Sequence, residues 1–164
     1  MKQSNLIGGI GFFGLGHICF LTFFLMNGKV NFAGLIALVV LAAGYVPYLL
    51  LCVKPGLEKA AEARGHGTTA LLGAVIFYLT ISILSLSSTF LFKTKCWIRL
   101  LAILGIGCIL FSDTVIAENI FCGRTQLWFL MMPTYLATHF LIAAAALFDF
   151  LLLKNEPKNE PKED

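Results

Sequence analysis

Charge is what this sequence has least of. Only 13% of its 164 residues are Asp, Glu, Lys or Arg, while 59% are hydrophobic, and the mean hydropathy is +0.87. An ordinary soluble domain is about a quarter charged and under half apolar. A chain with so little polar surface cannot cover a water-facing globule, so part of its solvent is lipid. Blocks of like charge are also missing. The formal net charge of +3 is spread along the chain, which argues against a nucleic-acid partner. No two of the five cysteines (Cys19, Cys52, Cys96, Cys108 and Cys122) have C-x-x-C spacing. They read as small apolar packing residues rather than a disulfide frame or a metal site. The short alternating segments that build membrane barrels are absent as well.

What the sequence does have is long apolar runs, at about 6–26, 30–53, 68–92, 97–121 and 127–153. Each reaches the roughly 20 residues that an α-helix needs to cross ~30 Å of hydrocarbon. Only helices and closed barrels satisfy their backbone in lipid. The expected fold class is therefore all-α: a polytopic helical membrane bundle of about five transmembrane helices over residues 1–153, in a multi-pass protein of the cell membrane. Asn27-Gly28-Lys29, Lys93-Thr94-Lys95 and Cys122 to Gln126 are short links, which make sequential helices antiparallel neighbours. Lys54 to Gly67, "KPGLEKAAEARGHG", reads as one long polar loop opened by Pro55-Gly56, with His66 solvated inside it. The tail 154–164, "KNEPKNEPKED", has no apolar residue and reads as disordered. The first run is too long for a signal-peptide core and lacks a small-x-small cleavage site, so it is expected to stay as a membrane anchor. Lys29, Lys93, Lys95, Arg99 and the tail lysines face Lys2, Lys54, Lys59, Arg64 and Arg124 across the bilayer, a slight bias toward a cytoplasmic C-terminus.

Gly9-Ile10-Gly11-Phe12-Phe13-Gly14 fits G-x-G-x-x-G, a pattern that can mark a dinucleotide-binding turn. That fingerprint needs a strand before the glycines and a helix opening at them. Here they lie inside an apolar span close to the N-terminus, so no dinucleotide and no other cofactor is expected. Gly9 and Gly16, a heptad apart, are expected to form a packing seam.

Ionisable groups at membrane depth are costly unless they face a protein interior or a wet cavity, and they are functional candidates for that reason. Asp113 lies ~6 Å from the centre of its span at 1.5 Å rise per residue. A bare carboxylate there needs a partner or a proton. Ser112 precedes it, and Gly105, Cys108 and Ser112 form a stripe that would admit a neighbouring helix. His139 stands near the middle of the last span, with Tyr135 four residues earlier on the same face. Thr138 is adjacent, and Pro133 is expected to free a backbone carbonyl and kink the helix. His17 is mid-span in the first helix. Asp149 and Glu118 sit near span ends and read as structural. One shared cavity for His17, Asp113 and His139 would cost less than three separate burials, so the three are expected to converge. Two imidazoles and one carboxylate could in principle hold a metal, but no ligand spacing supports one, and none is expected.

The same stretches resemble a known family. "FFGLGHICFLTFF" (Phe12–Phe24) looks like the aromatic-rich helix with a central His in the YhhN family of lysoplasmalogenase-like membrane proteins. "GIGCILFSDTVIAENIF" (Gly105–Phe121) looks like its Gly-rich F-x-x-S-D-x-x-L-A-x-x-x-F helix, and "YLATHFLI" (Tyr135–Ile142) resembles its Y-x-x-A-Q-x-L-I motif. The Ser-Asp helix is the most specific of the three. The resemblance implies an integral membrane hydrolase that cleaves the vinyl ether bond of lysoplasmalogens to a fatty aldehyde and a glycerophospho head group. It makes Asp113 a catalytic carboxylate and places His17 and Tyr135 at the site. With Ser112 and His139 they form the candidate substrate-binding set.

His139 stands where the family has Gln, and Ile116 where it has Leu. The family also has further N-terminal helices with a second acidic motif, G-D-x-x-L, before the His-bearing helix. Those helices would lie upstream, come from a partner, or be lost in a reduced relative. The chemistry implied is proton transfer to the vinyl carbon by a positioned acid, followed by capture of the resulting cation by water. A second group would assist, as in paired-carboxylate glycosidases, with His139, His17 and Glu118 the spare candidates. Arg99, Arg124 or the lysines could meet the lipid phosphate. The expected partners are membrane lipids, a lysophospholipid-type substrate, and a second copy or another chain that covers the polar cavity. The competing class is a non-catalytic lipid-binding or transport component, or an inactive family member.

Overall fold

The computed structural model describes residues 3–62 and 69–155, which form helices joined by short turns. The helices are α1 (Gln3–Met26), α2 (Phe32–Tyr48), α3 (Lys54–Glu62), α4 (Thr69–Thr89), α5 (Cys96–Cys122) and α6 (Met131–Asn155). A π-helical turn, Leu49–Val53, joins α2 to α3, and a 3-10 turn, Trp128–Leu130, leads into α6. Among the described residues there is no strand beyond a single antiparallel bridge between Gly28 and Phe92. Among the described residues five helical stretches are long and apolar enough to cross a membrane: Ile7–Met26, Phe32–Lys59, Thr69–Thr89, Cys96–Cys122 and Trp128–Lys154. The chain is a helical bundle of the multi-pass membrane type.

The segment read as a long polar loop is helical to Glu62. Pro47 and Pro55 both lack an N–H, and the wider turn at Leu49–Val53 lies between them, carrying a bond from the Lys54 N–H to the Leu49 carbonyl. Gly56 is not a turn residue. A Cβ there would run into the backbone carbonyl of Phe121, so the missing side chain lets α3 approach the end of α5. Leu57 is fully buried beside it, and Lys54 pairs with Glu58 on the outer face at 3.8 Å. His66, Arg64, Lys2 and the tail beyond Asn155, expected to be disordered, lie outside the described residues.

The helices α4 and α5 are the centre of the bundle. α1 packs mainly on α4, α2 also on α4, and α6 on α5. α1 and α2 share a tight turn yet pack on α4 rather than on each other, which departs from the simple antiparallel order expected from the short links. At one end the α1–α2 turn is tied to the α4–α5 turn. Lys29 N–H donates to the Leu91 carbonyl at 2.9 Å and Lys93 N–H to the Asn27 carbonyl at 3.1 Å. Asn31 caps α2 through the Gly34 N–H at 2.9 Å, and its amide donates to the Phe90 carbonyl at 2.8 Å. Thr94 donates to Asp149 at 2.6 Å, closing the end of α6 onto the same turn. At the other end Gly123, at φ +66°, terminates α5 in the left-handed conformation that glycine adopts at no steric cost.

Phe24, Leu86, Phe92, Ile98, Ile106 and Leu110 lead the packed interior. Gly105 lies against Ile142 and Leu141 of α6, and Ser112 donates to the Met131 carbonyl at 3.2 Å, so the small-residue stripe does admit a helix. Among the described residues the expected Gly9–Gly16 seam does not form: a Cβ at either would meet nothing within 4 Å, and the glycine of α1 in contact is Gly14, against Phe77 and Tyr78 of α4. Pro133 lies in the first turn of α6, where its missing N–H leaves no helical bond unmade, rather than at a mid-helix kink.

Candidate functional site

Three helices meet at one atom, Oδ2 of Asp113 on α5. From α4, Tyr78 Oη donates to it at 2.5 Å. From α1, His17 Nε2 lies 3.5 Å away. The His17 side chain is completely buried and that of Asp113 is 15% exposed. The imidazole stands edge-on to the Tyr78 ring, 5.4 Å between centroids, which fixes its plane. With the proton on Nε2 the imidazole faces the carboxylate as a donor. Its Nδ1, buried without a partner among the described residues, is then a bare acceptor, cheaper to leave unpaired than an N–H.

The second oxygen, Oδ1, accepts no hydrogen bond among the described residues. Asp113 forms part of the wall of a groove of about 270 Å³ between α1, α4 and α5. Helical periodicity builds that wall. Asp113, Ile116, Ala117 and Ile120 fall at i, i+3, i+4 and i+7 of α5, while Gly9 and Phe13 continue the His17 stripe of α1 at spacings of four. Apart from Tyr78 and Asp113 the lining is apolar. Gly9 therefore contributes to the site by leaving space, not by packing.

The structure brings His17 and Asp113 together as expected, but not His139. That side chain is exposed on the outer face of α6, where Nδ1–H donates to the Tyr135 carbonyl of its own helix at 2.9 Å and the ring rests on Tyr135 at 4.6 Å. The physical reason is rotation. Thr138, which is buried, faces α5, and one residue further the helix has turned by about 100°. The expected three-way convergence is corrected to His17, Asp113 and Tyr78. Tyr135 is half-buried and meets Phe13 edge-to-face at 6.2 Å, one layer behind the groove. Ser112 is buried, but its hydroxyl is directed to α6, away from the groove. Glu118 pairs with Arg124 at 3.1 Å and Asp149 accepts from Thr94, both near helix ends. Among the described residues no group of three His, Cys, Asp or Glu side chains is placed to hold a metal ion.

Tyr78 is the residue that sequence reasoning passed over. Its signal was available: α4 spans Thr69–Thr89, so the hydroxyl of Tyr78 lies at mid-span, where an unpaired O–H is costly. A hydroxyl at that depth is as much a functional candidate as the His17 imidazole and the Asp113 carboxyl.

The model of the YhhN family matches residues 1–146. No curated protein and no solved structure matches the chain. The match covers most of the sequence, and the chain belongs to the YhhN family.

Proposed function

We propose that this YhhN-family protein is a membrane hydrolase of the lysoplasmalogenase type, cleaving the vinyl ether bond of a single-chain ether lipid with Asp113 as general acid. The observation that carries the reading is the setting of Asp113: one oxygen is held by Tyr78 and His17, and the side chain lies on the wall of an apolar groove. A hydrocarbon tail fits such a lining, and a carboxyl with one engaged oxygen is oriented rather than free to rotate.

The chemistry balances with water as the only co-reactant. Asp113 gives its proton to the vinyl carbon remote from oxygen, leaving an oxocarbenium ion. Water adds to that ion and returns a proton to the Asp113 carboxylate. The hemiacetal then breaks its C–O bond, its hydroxyl proton passing to the departing oxygen, which gives an aldehyde and the free glycerophospho alcohol. Tyr78 and His17 hold the carboxyl in register and stabilise its anionic form between the two proton transfers.

Purified protein in detergent should release fatty aldehyde from a lysoplasmalogen. Asp113→Asn, which keeps shape but cannot donate a proton in this way, should lower the rate by about 10²- to 10⁴-fold. Equal aldehyde release by the two proteins would remove Asp113 from the chemistry. Lipid binding without aldehyde release by wild type would favour a non-catalytic lipid-binding component.

A further inference from the structure

A second groove, of about 420 Å³, shares no residue with the one at Asp113. α2 and α5 both rest on α4 and touch through Tyr45 and Thr114, and the groove lies between that contact and the α4–α5 turn. Leu86 of α4 is its floor. Val40 and Leu41 of α2 form one wall, and Ile103, Gly107 and Phe111 of α5 form the other. A Cβ on Gly107 would meet nothing within 4 Å, so that glycine leaves the wall open. The one hydroxyl of the lining among the described residues, that of Thr134, already donates to the Leu130 carbonyl at 2.7 Å. A molecule seated here meets hydrocarbon along its length, and the volume falls within the ~300–1,000 Å³ of small-molecule sites.

The surface end of this groove is basic. Arg99 precedes Ile103, Gly107 and Phe111 in the same series of fours along α5, so it stands on the groove's stripe one turn nearer the helix start. Its guanidinium reaches back to the Thr94 carbonyl at 3.4 Å, a long contact, and its Nε is buried without a partner among the described residues. An arginine has five N–H donors to satisfy. The backbone bonds between the α1–α2 and α4–α5 turns place Lys29 beside Lys93 and Lys95, and all three are exposed. Among the described residues none of these four cations forms an ion pair, and the neighbouring carboxylate, Asp149, accepts from Thr94 instead. At the opposite end of the bundle Lys54 and Arg124 are paired, with Glu58 and Glu118. Unpaired cations at the end of an apolar slot are complementary to an anionic amphiphile.

We propose that this groove and its basic rim bind a bilayer phospholipid with a net-negative head group, its tail lying along Gly107 and its phosphate held by Arg99 with the turn lysines around it. This lipid is not the substrate. Arg99 and Asp113 are ~21 Å apart along α5 at 1.5 Å per residue, and the guanidinium is turned away from the carboxyl, toward Thr94. In a lysoplasmalogen only the glycerol carbons separate the phosphate from the vinyl ether, a much shorter span. A lipid anchored at Arg99 therefore cannot present a vinyl ether to Asp113. It fills the gap between α2 and α5 and sets this end of the bundle against an anionic leaflet.

The test is native mass spectrometry of the delipidated full chain in detergent, titrated with phosphatidylglycerol or phosphatidylcholine of matched tails. Wild type should retain one phosphatidylglycerol with about tenfold or greater preference over phosphatidylcholine, the scale of a hydrogen bond between charged groups. Arg99→Gln should abolish that preference, and Lys93→Gln with Lys95→Gln, confined to exposed side chains, should reduce it about fivefold. Gly107→Leu, which directs its side chain into open space, should weaken retention of both lipids. Lys59→Gln, which removes an exposed cation at the other end, should change neither. Equal retention of the two lipids by wild type, or equal losses in Lys59→Gln and Arg99→Gln, overturns the head-group site. Unchanged retention in Gly107→Leu, or displacement of the lipid by glycerol phosphate alone, overturns the tail groove. Aldehyde release has no part in the readout, so either result stands apart from the hydrolase proposal.

Discussion

The Tyr78 hydroxyl bears directly on whether Asp113 is held for catalysis, and Tyr78→Phe isolates it. The substitution keeps the ring that fixes the His17 plane and deletes only the oxygen that donates to Asp113 at 2.5 Å. A hydrogen bond to a charged group contributes about 1.5–3 kcal/mol. The remaining contact cannot replace it: His17 Nε2 is 3.5 Å from the same oxygen, beyond the 2.7–3.2 Å of an ordinary N–H···O bond. At about 1.4 kcal/mol per tenfold in rate, kcat should fall about 10- to 100-fold. His17→Gln should cost less than Tyr78→Phe in the same assay, because the distances rank the two contacts in that order. The assay is aldehyde release in detergent under saturating substrate, with helix content checked by circular dichroism. An activity-independent readout is the infrared carboxyl band assigned by its disappearance in Asp113→Asn, which should shift in Tyr78→Phe. A folded Tyr78→Phe protein that keeps kcat within twofold of wild type, while Asp113→Asn is inactive, would refute the claim that this hydroxyl positions the acid.

Gly56→Ala should destabilise the bundle by about 1–3 kcal/mol, since its methyl meets the Phe121 carbonyl, whereas Gly16→Ala, with nothing within 4 Å, should be neutral or slightly stabilising in the same thermal melt. Equal melting of the two variants would show that α3 does not rest on α5 through that glycine. His139→Ala should leave aldehyde release within about twofold of wild type, because the loss of an exposed side chain bonded only to its own helix removes no contact to the groove. A loss comparable to that of Tyr78→Phe would return His139 to the site.

The spans were legible because the bilayer fixes a length, and length is a local property of sequence. The ends of α1, α4, α5 and α6 lie close to the edges of the apolar runs. Orientation about each helix axis was not legible. In water an amphipathic stripe shows which face turns inward, but α6 is apolar on nearly every side, so its sequence does not say whether Thr138 or His139 meets α5. That choice is made by non-local fit, Ile142 against Gly105 and the Ser112 hydroxyl against Met131. The helix from Lys54 was hidden for a related reason. Pro55-Gly56 is a turn signal in isolation, and only the Phe121 backbone explains why the pair sits inside a helical stretch. Asp113 and His17 were legible because the cost of a polar group in lipid holds whichever way the helix turns.

The same three atoms serve as brace and as site. α1 and α5 are joined chiefly through α4, and the cluster of His17, Tyr78 and Asp113 is where all three helices exchange polar contacts. Lipid gives helices no hydrophobic reason to associate, so packing and interhelical hydrogen bonds of about 0.6 kcal/mol each, rising to ~1.7, hold them together. Asp113→Asn keeps one acceptor oxygen for Tyr78 and His17 but makes those contacts neutral and weaker, so it removes a mechanism and loosens the tie to α1 at the same time. A fall in activity therefore identifies chemistry only when α1 stays docked, and the Gly14 contact with Tyr78 offers a local report on that docking. A cysteine pair across α1 and α4 near Gly14 that cross-links equally fast in wild type and in Asp113→Asn would separate the two roles, leaving the lost proton as the cause of the lost rate.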